Sequence, residues 1–212
     1  CFTHFFVQNE TSRDLLVKLG ITNVTITGDT RFDRVLQIKE QSKQLPVIDA
    51  FKKDYKVFVA GSSWSPDEDI FIKYFNEHKE WRLIIAPHVI GEDHLKEILA
   101  KLNRKTVRYT EATVGNVKDA ECLIIDCFGL LSSIYHFGEV AYVGGGFGVG
   151  IHNVLEAAVW NMPVLFGPNN LRFQEAQGLL KSKGGFEITD YDSFEHTMNS
   201  LMANAEFLEE SG

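Results

Sequence analysis

Between Tyr142 and Glu156 the chain reads YVGGGFGVGIHNVLE. Five glycines fall in seven positions, Gly144, Gly145, Gly146, Gly148 and Gly150, directly after an apolar, strand-like run. Ile151, His152 and Asn153 then lead into a helical run that His152 and Asn153 are expected to open. Glycines permit positive φ and let a ligand approach the main chain. A helix start presents unpaired N–H groups and partial positive charge. Together they suit a phosphate or carboxylate. Glu156, one turn into the helix, is placed to hydrogen-bond sugar hydroxyls. The segment therefore reads as a nucleotide-sugar site. A plain strand-to-helix turn is the competing reading, but two glycines would suffice for one.

The familiar glycine motifs do not fit. Six positions counted from Gly144 end on Val149, and from Gly146 on Ile151, so G-x-G-x-x-G fails. The acid that a dinucleotide site places about 20 residues on is missing from Pro163 to Phe166. No Gly-Lys-Ser/Thr follows the glycines, which excludes a Walker loop.

Other residues can join such a site. Arg31, in GDTRFD, can clamp an anion bidentately, or pair with Asp29 or Asp33. Gly61 and Ser62 offer an amide and a hydroxyl at a strand end, while Ser63 or Ser65 can cap the next helix. His88 follows Pro87 at another strand end, where a structural histidine is the plainer reading. His152 can donate to a phosphate. Asn153 is also a natural N-cap. Glu156 and Glu175 each stand near the start of a helix and can bracket a nucleoside. Glu175 equally suits a helix dipole as a first-turn acid. No pair of histidines has metal-ligand spacing around an acid, so no metal is expected.

The elements that must position these residues alternate along the chain. Strand-like runs at Val57–Ala60, Arg82–Ala86, Thr106–Tyr109, Cys122–Asp126, Val140–Val143 and Pro163–Phe166 are separated by helical runs, except for a polar loop between Thr106–Tyr109 and Cys122–Asp126. Further helices are expected at Glu10–Leu19, Phe32–Lys43, Leu130–His136 and Tyr191–Phe207, with a break at Gln44-Leu45-Pro46. This alternation predicts an α/β fold, a Rossmann-like doubly wound parallel sheet. Val-Phe-Val-Ala and Leu-Ile-Ile-Ala are continuous apolar runs, as strands buried on both faces require. Ligands of such sheets bind at the carboxyl ends of the strands, where the polar signals fall.

The 212 residues carry a net charge of −8, which argues against a nucleic-acid surface. The three cysteines form no CxxC or zinc pattern, and a reducing, cytosolic setting fits them. No apolar stretch is long enough to span a membrane. The chain starts in mid-strand without Met and reads as a fragment of something longer.

The segments FVQNE (6–10), GDTRFD (28–33), AGS (60–62), YVGG…GIHNVLE (142–156), PVLFGP (163–168) and Phe173 with Glu175 carry a resemblance. They resemble the C-terminal part of the 3-deoxy-D-manno-octulosonic acid (Kdo) transferases, over essentially the whole chain. The resemblance implies a GT-B fold, two Rossmann-like domains facing across a cleft. It places residues 1–28 at the end of the N-terminal acceptor domain, 29–45 in the crossover, and 46–212 in a domain that binds the donor, CMP-Kdo. By the same resemblance the glycine loop, His152 and Asn153 hold the donor phosphate and Kdo carboxylate. Glu156 holds the ribose, Gly61 and Ser62 line the opposite wall, and Arg31 approaches the anionic end.

The implied reaction is inverting transfer of Kdo to a lipid A precursor in lipopolysaccharide synthesis, without a cofactor or metal. The parent would work at the cytoplasmic face of the inner membrane. The catalytic base would lie outside this chain, leaving it inactive alone. Two segments depart from the family: Pro87-His88-Val89-Ile90-Gly91-Glu92 lacks the arginines of Pro-Arg-His-Pro-Glu-Arg, and Asp126-Cys127 stands where Gly-Asp-Thr-x-Gly is common. The rivals are a UDP-sugar transferase or epimerase of the same fold, and a non-catalytic nucleotide-binding module.

Overall fold

The structure is a computed structural model that describes residues 2–28, 37, 39–40 and 43–212. Arg31, with most of the expected crossover and the helix expected at Phe32–Lys43, lies outside the described residues. At the start, β1 (Phe5–Val7) and β2 (Val24–Ile26) form a small parallel sheet around α1 (Glu10–Lys18). Asn9 caps α1 by accepting from the Ser12 amide at 2.9 Å.

The main sheet has seven strands: β3 (Val57–Ser63), β4 (Arg82–Pro87), β5 (Thr106–Arg108), β6 (Cys122–Ile124), β7 (Val140–Val143), β8 (Val164–Phe166) and β9 (Gly185–Glu187). Their order is β5-β6-β4-β3-β7-β8-β9, and every pairing is parallel. The expected doubly wound sheet is therefore present. Its helices are α2 (Pro46–Lys52), α3 (Ser65–Glu77), α4 (Glu92–Lys101), α5 (Leu131–Ile134), α6 (Leu155–Ala158), α7 (Gln174–Ser182), α8 (Tyr191–Ala203) and α9 (Ala205–Glu210).

Side chains of a strand alternate between faces, and here both faces are apolar. Val57, Val59, Ile84, Leu123, Ala141 and Val164 join one core, with Ile48 and Phe51 of α2 and Ala176 of α7. Phe58, Ala60, Leu83, Ile85, Val140 and Tyr142 join the other, with Phe71 and Phe75 of α3, Ile98 of α4 and Phe194 of α8. Each such large side chain contributes about 1.5–3 kcal/mol when fully buried.

From β3 the chain winds outward through β4, then returns past β3 to β7 on its other side. The strand order thus reverses between β3 and β7, and a crevice opens there at the carboxyl ends.

Three boundaries differ from expectation. Pro46 begins α2 instead of breaking the chain: it occupies the first helical turn, where a missing N–H costs nothing. The expected helix over Leu130–His136 is one α turn, α5, followed by a 3₁₀ turn at Tyr135–Phe137. The last expected helix breaks near Asn204, whose side chain accepts from the amides of Glu206 and Phe207 and starts α9.

Candidate functional site

At the switch point the ends of β3 and β7 touch through their backbones. A Cβ on Gly144 would sit 2.3 Å from the Ser62 carbonyl oxygen and 2.6 Å from Ser63 Cα, so only glycine fits. Gly61 is equally confined, by the Tyr135 ring and Leu131. Ser62 takes φ +51, and the register with β4 slips between Gly61 and Ser63. This bulge turns the Ser62 segment out of the sheet plane.

The glycine loop folds on itself and on its neighbours. Gly145 has φ +93 and its carbonyl accepts from the Gly148 and Gly150 amides at 3.0 and 3.2 Å. Gly146 lies against the Gly167 backbone, 2.5 Å from a built Cβ to its Cα. Asn169 binds the loop twice, amide to the Gly146 carbonyl at 2.9 Å and Nδ2 to the Gly148 carbonyl at 2.8 Å. Arg172 donates to the Val149 carbonyl. The Gly146, Phe147 and Val149 amides donate to no described residue.

Asp67, missed in the sequence reading, anchors the loop from below. Its Oδ2 accepts from the Gly145 amide at 3.0 Å and the Trp64 amide at 2.9 Å, and its Oδ1 accepts the Tyr142 hydroxyl at 2.7 Å. Burial raises its pKa, outweighing those hydrogen bonds. The available signal was an acid three residues beyond Trp64, the spacing of a capping box. Neither Ser63 nor Ser65 supplies that cap. Ser63 donates instead to Glu68 at 3.0 Å, whose same oxygen is 3.1 Å from His94 Nε2. Burial raises the Glu68 pKa as well.

His88, exposed at the end of β4, stacks on both Trp64 and His152. The His152 pKa is lowered, chiefly by burial and then by neighbouring His88, against an opposing pull from Asp67. The ring is therefore neutral near pH 7.

His152 and Asn153 do not open a helix. α6 starts at Leu155, runs only four residues, and has Val154 at its cap. Asn153 spends its side chain locally: Oδ1 accepts from the Leu155 amide at 3.1 Å and Nδ2 donates to Glu156 at 3.2 Å. That local bond is the habit of asparagine next to a helix start. Burial raises the pKa of Tyr135, whose ring packs on Gly61, and the charge of Glu156 adds to that rise. Ile151 is buried, and Gly150, at φ +134, lies against Arg172 and Phe173. Glu175 is buried in the first turn of α7, two residues beyond Phe173.

On the other side of Ser62 and His88 lies a cavity of about 220 Å³. Its walls include Ala86, Pro87, Ile125, Cys127 and Phe128. Asp126 does not face it freely. It accepts from the Thr110 hydroxyl at 2.6 Å, the Thr110 amide at 2.9 Å and Arg108 Nε at 2.9 Å. Burial opposes ionisation of Asp126, but these donors prevail and its pKa is lowered. Arg108 also grips Glu92, at 2.7 and 3.1 Å. Among the described residues no three His, Cys, Asp or Glu gather to hold a metal ion.

No family model matches the chain. A bifunctional glycosyltransferase/methyltransferase of Fusobacterium nucleatum is 27% identical over 209 residues, 93% of this chain and 32% of that protein. A 3-deoxy-D-manno-octulosonic acid transferase of Rickettsia prowazekii is 25% identical over 207 residues, 95% of this chain and 44% of that protein. The chain thus spans less than half the length of these relatives. Among solved structures, the C-terminal CMP-Kdo binding domain of WaaA from Acinetobacter baumannii has a TM-score of 0.64 at 20% identity, covering 85% of this chain and 95% of that domain. A UDP-N-acetylglucosamine 2-epimerase gives 0.64 at 15% identity, covering 97% and 50%. The fold is that of GT-B C-terminal domains.

Proposed function

We propose that this chain, which resembles Kdo transferases along 95% of its length, is the donor-binding part of a glycosyltransferase that uses CMP-Kdo. One observation carries the reading: the glycine loop meets the end of β3 at the sheet's switch point, beside amides that donate to no described residue. In this reading the donor lies across the carboxyl ends of the strands. Its phosphate and sugar carboxylate take the loop amides and His152. Glu156, steadied by Asn153, takes the ribose, and the flat base enters the slot lined by Pro87, Ile125 and Phe128. Gly61 and Ser62 form the floor between them. Glu175, in the first turn of α7, is the second carboxylate assigned to bracket the nucleoside, and Arg31 approaches the anionic end. No metal or cofactor takes part.

In the reaction an acceptor hydroxyl attacks the anomeric carbon with inversion while CMP leaves. The loop amides and a neutral His152 N–H stabilise the departing phosphate. Removing the acceptor proton needs a base, which we assign to a preceding acceptor domain. Residues 1–28 would end that domain, 29–45 would cross over, and 46–212 would bind the donor. The acceptor would be a lipid A precursor at the cytoplasmic face of the inner membrane. No described helix is long and apolar enough to cross a membrane.

A UDP-sugar enzyme is the second reading, because the epimerase shares this fold. Calorimetric titration of CMP and of UDP separates the two. The proposal expects CMP to bind, UDP to bind clearly less, and Glu156→Ala to weaken CMP. Preference for UDP would favour the second reading, and indifference to Glu156→Ala would remove the ribose assignment.

A further inference from the structure

Trp64 and His152 stand 88 positions apart, yet the indole Nε1 lies 3.3 Å from His152 Nε2. An indole nitrogen donates and never accepts. His152 Nε2 is therefore the acceptor, and the proton of the neutral ring sits on Nδ1. We propose that Trp64 is a positioning residue that locks His152 in the Nδ1–H tautomer, so that the ring offers one fixed N–H to the anionic end of the nucleotide sugar. The lock stands on geometry; its purpose rests on the nucleotide-sugar reading above.

Two further contacts hold the ring in place. A Cβ on Gly145 would lie 3.1 Å from His152 Cδ2 and 3.4 Å from Nε2, so this edge packs on the loop. The Nδ1 corner points the opposite way, and no described residue is hydrogen-bonded to it. His88 lies face-on to both partners, with centroids 4.5 Å from Trp64 at 23° and 4.6 Å from His152 at 26°. One ring stacked on both restrains the orientation of each. The hydrogen bond on one imidazole nitrogen decides what the other carries. Here the tautomer is decided by a residue on β3's side of the crevice, and the free N–H belongs to β7's side. The two walls of the site are thereby coupled through a single proton position.

Long-range ¹H–¹⁵N spectra of the imidazole side chains read this directly, with His152 assigned through His152→Gln. The wild-type chain is expected to show His152 protonated at Nδ1. Trp64→Phe keeps a ring to stack but has no donor, and is expected to lose that single-tautomer signature. CMP binding to Trp64→Phe should weaken about three- to tenfold, the effect of one lost hydrogen bond. A wild-type His152 protonated at Nε2 overturns the lock, and does so even if the variant fails to fold. Unchanged CMP affinity in a variant that has lost the signature overturns its purpose. A wild-type Nδ1–H signature with no CMP binding by either protein leaves the lock standing and removes the nucleotide reading instead.

Discussion

Asp67 is the residue on which the loop depends most. A buried carboxyl group with three donors and no cation among the described residues depends on those bonds for its place in the interior. Asp67→Asn keeps one acceptor oxygen and turns an NH₂ toward groups that donate. The expected loss is about 1–3 kcal/mol in urea unfolding, with weaker CMP binding; wild-type stability would contradict this anchor. His152 makes a pH prediction. Its pKa lies below the ordinary 6.5 because burial and His88 penalise the imidazolium. Below pH 6.5 the unfolded chain takes a proton that the folded chain resists. The stability that His152 contributes is therefore present above 6.5 and lost as pH falls through its folded value. Unfolding free energy measured from pH 7.5 to 5 should fall more for wild type than for His152→Gln, and parallel curves would refute it. Part of this residue scale was legible: the glycine loop, Ser62, His88 and His152 meet around the ends of β3 and β7. Asp67 and Trp64 were not, because their partners Gly145 and His152 are distant in sequence and no local periodicity brings them together.

The elements separate glycines that the site requires from those it does not. Gly146 and Gly167 lie backbone to backbone, and a Cβ at 146 would meet Gly167 Cα at 2.5 Å. Gly148 would meet only the Gly145 carbonyl, at 3.6 Å. Gly146→Ala is expected to cost about 1–3 kcal/mol by overpacking and to abolish CMP binding, while Gly148→Ala stays close to wild type. Equal effects at both positions would mean that the loop does not need this packing. Gly178, exposed inside α7, meets nothing within 4 Å. Gly178→Ala should stabilise by about 0.5–1 kcal/mol through helix propensity; a lower midpoint in thermal unfolding would contradict that. The strands were legible because buried parallel strands are continuous apolar runs. The helix expected at His152 was not a helix, because Asn153 bonds locally to Leu155 and Glu156, and regular structure waits until Leu155. α2 was hidden because Pro46 signals a break as readily as a first helical position.

At the scale of the molecule, a net charge of −8 leaves no general pull on an anion. Any nucleotide must be held by donors set locally, and the switch point is where the topology supplies them. The sheet alternation put the polar signals at the carboxyl ends of the strands, and the strand order reverses between β3 and β7. The resemblance could not decide how the two departing segments would be used. Asp126 proves to be consumed by Thr110 and Arg108, and Arg108 by Glu92 as well, so this corner is braced by its own charges. The most direct test is to map backbone amide shifts while CMP is added to the chain. The account predicts saturable changes at Gly61–Ser63, His88 and residues 144–156. Saturable changes confined to the opposite end of the sheet, around Lys56, Glu139 and Asn161, would contradict it, as would no change at any concentration.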